Sequence, residues 1–114
     1  MTLFTIKRGD TSPALSATLV DPDGEPADLS LAERVEFRMN SPYDDELITG
    51  STDDNVSYLN KGEGRVQYDW QPGDTDGVGQ KEAEFVVEYS NGNIRTYPND
   101  GFFYVNIERD IAEL

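Results

Sequence analysis

Apolar and polar residues alternate with a period of two along most of this chain, and a helix cannot bury such a pattern on one face. Phe4 and Ile6 alternate first, then Leu15, Ala17 and Leu19, then Val35, Phe37 and Met39 against Arg34, Glu36 and Arg38. The last set reads as a strand with one wet face. A polar stretch from Asn40 to Asp54 separates these from Val56 and Tyr58 and then Val66, Tyr68 and Trp70. The longest strand is expected from about Gln80 to Tyr89, with Ala83, Phe85, Val87 and Tyr89 inward and Glu82, Glu84 and Glu88 outward. Ile94 to Tyr97 and then Phe103, Val105 and Ile107 complete the series.

Turn chemistry punctuates these runs. Asp21-Pro22-Asp23-Gly24-Glu25-Pro26, Asn60-Lys61-Gly62-Glu63-Gly64, the Gly/Asp-rich loop from Gln71 to Gly79, Asn91-Gly92 and Pro98-Asn99-Asp100-Gly101 all break the alternation. Asn91-Gly92 is a type I′ hairpin signal. Only Leu29 to Glu33 and Asp110 to Leu114 offer a helical turn. Seven or eight short strands in 114 residues predict an all-β fold: an immunoglobulin-like antiparallel β-sandwich, one domain over 1–114 with short terminal arms. A small β-barrel is the alternative architecture. The Cys…Trp…Cys hallmark is missing, so Trp70 must pack without a disulfide.

Composition narrows the chemistry. The chain has neither His nor Cys, which excludes Ser-His-Asp and Cys-His catalysis, thiolate metal sites and disulfides. No glycine motif cradles phosphate, so the expectation is a non-enzyme without a cofactor. No apolar run approaches the ~18 residues that cross a bilayer, and Met1 to Asp10 lacks a signal peptide's apolar stretch. The expectation is therefore a soluble protein, with no membrane partner.

Nine Lys and Arg against 23 Asp and Glu leave a formal charge of −14. No basic face exists to neutralise phosphates, so nucleic acid is an unfavourable partner. Thirteen of the acids are Asp, and only three of the cations are Lys. An Asp-rich, Lys-poor surface resembles proteins of salt-loving archaea and their viruses. Screening shortens from ~10 Å at 0.1 M salt to ~3 Å at 1 M, so molar salt relieves the self-repulsion of such a surface.

Candidate sites follow from position. Asp21, Asp23 and Glu25 offer oxygen ligands for a hard cation, although a calcium loop needs more ligands at fixed spacing. Asp44-Asp45-Glu46, Asp53-Asp54 and Asp74-Thr75-Asp76 read as solvated charge, and Arg8-Gly9-Asp10 as a strand-ending turn. If Phe103, Val105 and Ile107 point inward, Phe102 and Tyr104 point outward, and with Tyr97 they make a candidate partner surface. Leu3 and Phe4 at one end and Ile111 and Leu114 at the other are candidate docking arms.

Taken in order, Arg8-Gly9-Asp10-Thr11 with Leu15 to Leu19, Pro26-Ala27-Asp28-Leu29, Val35 to Met39, Gly64 to Trp70 with Gly73-Asp74-Thr75, and Thr96 to Gly101 resemble small tailed-phage virion domains. They are similar to the N-terminal domain of the baseplate upper protein family, over about Thr5 to Ile107. The resemblance implies an immunoglobulin-like sandwich that joins copies of itself and other virion proteins in a symmetric assembly, and it transfers no catalytic residue. It implies a place in the tail or baseplate of a virus, assembled in the host cytoplasm, and the acidity points to a salt-loving host. A capsid decoration or turret protein is the nearest alternative, and a carbohydrate-binding module using Trp70, Tyr97 or Tyr104 a more distant one.

Overall fold

The computed structural model describes residues 3–41 and 47–111. Its strands are β1 (Leu3–Lys7), β2 (Leu15–Thr18), β3 (Ala32–Asn40), β4 (Leu47–Ser51), β5 (Val56–Asn60), β6 (Arg65–Tyr68), β7 (Gly79–Tyr89), β8 (Ile94–Tyr97) and β9 (Phe103–Glu108). Among the described residues this is nine strands, where the alternation suggests seven or eight. The strand that the sequence hides is β4, which lies inside the stretch read as polar. The helical turn expected at Leu29 to Glu33 does not form. Asp28 Oδ1 instead accepts the Ser30 N–H at 3.0 Å, closing a turn that feeds β3. A short 3₁₀ turn, Lys61–Glu63, is capped by the Asn60 side chain accepting the Glu63 N–H.

The strands form two sheets, and the fold is an immunoglobulin-like β-sandwich. The large sheet runs β1-β9-β7-β3-β4, with β8 also paired to β7. The small sheet runs β2-β6-β5. β8 and β9 share one side of β7, pairing with its C-terminal and N-terminal halves, and Pro98 to Gly101 breaks the line between them. β1 lies parallel to β9, and every other pairing is antiparallel.

The core lies between the sheets. Phe37 on β3 stacks on Tyr68 of β6 with centroids 4.2 Å apart, and meets Phe85 at 5.2 Å and Trp70 edge-on at 6.0 Å. One ring thus ties β3 and β7 of the large sheet to the small sheet. Trp70 is only 4% exposed, packed without a disulfide against Phe4, Phe37 and Tyr68. On β7 the expected parity holds, with Ala83, Phe85 and Val87 buried. Lys81 shares their inward side and is itself buried, 5% exposed.

The hairpin between β7 and β8 differs from the type I′ expectation. The Tyr89 N–H donates to the Asn93 carbonyl and the Gly92 N–H to the Tyr89 carbonyl, each at 2.9 Å, so the loop holds three residues. Gly92 alone among them takes a positive φ, 89°, as a type I turn with a glycine bulge requires.

Candidate functional site

Two tyrosine–aspartate contacts account for carboxylates that the sequence offers as candidates. Tyr68, at the end of β6, donates its hydroxyl to Asp74 Oδ2 at 2.5 Å, and the same oxygen accepts the Gln71 N–H at 2.8 Å. The loop after β6 is thereby folded back on the core. Tyr97, at the end of β8, donates to Asp21 Oδ1 at 2.9 Å, and its oxygen lies 3.0 Å from that of Tyr89. Arg95 holds the same Asp21 oxygen at 3.0 Å. Burial, followed by these hydrogen bonds, pushes both phenols well above the ordinary tyrosine range.

These contacts settle several candidates. Tyr97 is 0% exposed, so it is a core residue and not part of a partner surface. The register explains the reversal: Tyr97 pairs with inward-facing Phe85, and the break at Pro98 resets the parity before β9. Asp21 is engaged by Tyr97 and Arg95, while Asp23 Oδ1 accepts the Glu25 N–H at 3.0 Å within its own turn. No cluster of three or more potential metal-ligating side chains forms among the described residues. Arg8-Gly9-Asp10 is a turn held by the Asp10 N–H to the Lys7 carbonyl and by Thr75, whose hydroxyl donates to the Asp10 carbonyl at 2.9 Å. Asp44-Asp45-Glu46 and Leu114 lie outside the described residues.

The outward face of the large sheet brings other candidates together. Cross-strand register aligns Leu3, Tyr104, Glu82, Asn40 and Leu47 in one row across β1, β9, β7, β3 and β4. The adjacent row places Glu84 opposite Arg38 and Arg38 opposite Thr49. A shallow depression of about 310 Å³ opens here, walled by Leu47 and Phe102 and floored by Arg38, Asn40, Glu82 and Glu84. Leu47 is 62% exposed and Phe102 39%. Of the arms, Leu3 is exposed at the end of the first row, whereas Phe4 turns inward onto Trp70 with centroids 5.9 Å apart. Tyr104 is half-buried between Leu3 and Glu82.

Charge pairing on this face is uneven. Arg34 Nη1 meets Glu88 at 3.2 Å, with Glu36 and Asp53 at 3.7 Å, and Arg38 Nε meets Glu36 at 2.6 Å. Both arginines are therefore held at the Glu36 end, and no ion pair reaches Glu82 or Glu84 among the described residues. The sequence shows Glu82 and Glu84 as outward, but Leu47 sits unnoticed in the polar stretch. The missing signal was β4 itself. A second depression, about 570 Å³, lies by Val78, Lys7 and the exposed Ile111. Its carboxylates are paired, Glu108 with Lys7 at 3.7 Å and Asp110 with Arg8 at 3.4 Å.

No family model and no curated protein matches the chain. Among solved structures it is similar to "The crystal structure of CopC from Methylosinus trichosporium OB3b", at 12% identity and TM-score 0.49, over 96% of this chain and 86% of that one. A likeness at that level says nothing of what this chain binds. The sheets themselves define the class, an all-β immunoglobulin-like sandwich. The expected role in a viral tail or baseplate, or as a capsid decoration protein, is corrected: the structure found similar is CopC, and neither comparison of sequences supplies a virion relative. The turn and core signatures behind that expectation suit the sandwich as such. Of the rings named for the carbohydrate-binding alternative, Trp70 and Tyr97 are buried in the core, which leaves the half-buried Tyr104.

Proposed function

We propose that this chain is a non-enzymatic binding domain that takes a basic segment of a partner protein on the outward face of its large sheet. The observation that carries this reading is the pair Glu82 and Glu84, without an ion-pair partner among the described residues, between the exposed Phe102 ring and Leu47. Two carboxylates accept the N–H groups of a Lys or Arg, and an aromatic wall takes the cation or its aliphatic stem. The chain's −14 charge attracts such a segment at long range, most strongly in dilute buffer.

The expected affinity is modest. Exposed ion pairs contribute about 0.2–1 kcal/mol each, and a cation–π contact about 0.5–1 kcal/mol. A fluorescent Lys/Arg-rich peptide is the probe, titrated by anisotropy. The double variant Glu82→Gln/Glu84→Gln should weaken it by about tenfold, and raising salt from about 0.05 M to about 0.5 M should weaken the wild type further. Equal binding by both proteins contradicts the reading.

A further inference from the structure

We infer that the free edge of β4 pairs, as an added strand, with a stretch of the partner adjoining the one that meets Glu82 and Glu84, which rests on the reading that the partner is a basic protein segment. The hydrogen-bond parity of β4 shows which groups are available. The Thr52 N–H donates to the Val35 carbonyl at 3.0 Å, one step beyond the register pair Glu36 and Ser51. Bonded and non-bonded pairs alternate in an antiparallel ladder. Gly50 with Phe37 and Ile48 with Met39 are therefore the bonded pairs, and Leu47, Thr49 and Ser51 turn their N–H and C=O groups away from β3. The Asp54 N–H donating to the Ser51 carbonyl at 2.8 Å fits this parity. The other groups of Leu47 and Thr49, and the Ser51 N–H, face an edge on which no strand lies among the described residues.

Edge strands ordinarily carry a blocking device such as a charge, a proline or a bulge. β1 carries Lys7, and β8 carries Arg95 and runs into Pro98. β2 follows closely on Pro13, and the β5 register is broken between Tyr58 and Asn60. β4 reads Leu-Ile-Thr-Gly-Ser over five unbroken register pairs, with no charge and no proline. It is also held firmly from behind. A Cβ on Gly50 would stand 2.5 Å from Tyr68 Cε1, so only glycine lets β4 approach the core this closely.

Charge selects the occupant. In sequence the strand is preceded by Asp44-Asp45-Glu46 and followed by Asp53-Asp54. A second copy pairing through its own β4 would bring two chains of −14 each together at this edge. An extended segment with alternating β-branched residues and Lys or Arg at both ends complements the same edge. Main-chain hydrogen bonds then supply affinity, and the flanking cations supply orientation.

The probe is a peptide with a central Val-Thr-Val-Thr-Val run and two Lys or Arg at each end. Its control has prolines in place of the threonines. Thr49→Pro removes one outward N–H and leaves the β3 ladder intact, since proline is tolerated at a strand edge. We expect the peptide to bind the wild type at least about tenfold more tightly than Thr49→Pro, with the proline control binding neither tightly. Amide hydrogen exchange on the wild type, which needs no variant, should show new protection at Leu47 and Thr49 on binding. Equal binding to the wild type and Thr49→Pro, still lowered by Glu82→Gln/Glu84→Gln, overturns the added strand and leaves the basic-partner reading standing. No binding to any form overturns both. A wild-type dimer in sedimentation that Thr49→Pro dissociates gives the edge to a second copy and overturns the occupant.

Discussion

The two outward faces of the sandwich share one core and differ in nearly everything else. The large sheet turns out Lys7, Arg34, Arg38, Glu36, Glu82, Glu84, Glu88 and Glu108. The small sheet turns out Ser16, Thr18, Ser57, Leu59, Arg65 and Gln67, without a single carboxylate. On a chain with 23 acids, the small face is thus nearly free of the net charge, and its rows Ser16-Gln67-Ser57 and Thr18-Arg65-Asn60 offer hydroxyl and amide groups that water satisfies equally well. The large face concentrates both signs, but its two arginines are drawn to Glu36, so negative charge is left over at Glu82 and Glu84. The difference teaches that the charge left over on the large face is set by where its cations are held.

The severest way to break the comparison is to remove what the faces have in common. Phe37→Ala takes away the ring between the sheets and should cost about 3–5 kcal/mol, read by chemical denaturation, with both faces lost in one transition. A smaller loss, about 0.5–1.5 kcal/mol, is expected from Tyr97→Phe, which removes the hydrogen bonds to half-buried Asp21 and Tyr89 and leaves Asp21 to Arg95.

The same two phenols predict a pH dependence. Tyr68 and Tyr97 keep their protons in the folded state at a pH where the unfolded chain has lost them, above the ordinary tyrosine value of 10.0. The unfolded state then binds fewer protons than the native one, so stability is fully present below about pH 10 and falls as pH rises beyond it. Denaturation midpoints across that range should show the fall, and Tyr68→Phe/Tyr97→Phe should flatten it.

The smallest effects sharpen the contrast between the faces. Ser57→Glu, which puts a carboxylate on the small face, should leave both stability and binding of a basic peptide within about twofold of wild type. Glu84→Gln alone should change stability by less than about 0.5 kcal/mol and still weaken the peptide measurably, by about threefold.

What could be read from the sequence depended on how strictly each segment alternates. β7 is long and carries a glutamate at three of its outward positions, so its register and the outward setting of Glu82 and Glu84 were plain. β4 is hidden because one of its two inward positions is Gly50, which leaves Ile48 as its one inward apolar side chain, while its outward Leu47 is exposed. That inverts the usual pattern, and the strand became visible only from its pairing with β3. Alternation along the last strand says nothing of Tyr97, because parity does not carry across the break at Pro98. Alternation sets Phe102 outward and Leu3 stands at a terminus, but only the cross-strand row brings Leu3 into line with Glu82 and Leu47, and only the depression brings Phe102 beside them. The virion resemblance rested on turns and core positions, and such features report the sandwich and not its partner.

The most direct test of the large face as the binding surface is amide chemical-shift mapping of the wild-type protein titrated with the basic peptide. The account predicts shifts concentrated at Leu47, Thr49, Glu82, Glu84 and Phe102, with Ser16 to Thr18 and Arg65 to Gln67 unmoved. Shifts centred on the small sheet, or spread evenly over both faces, would contradict it.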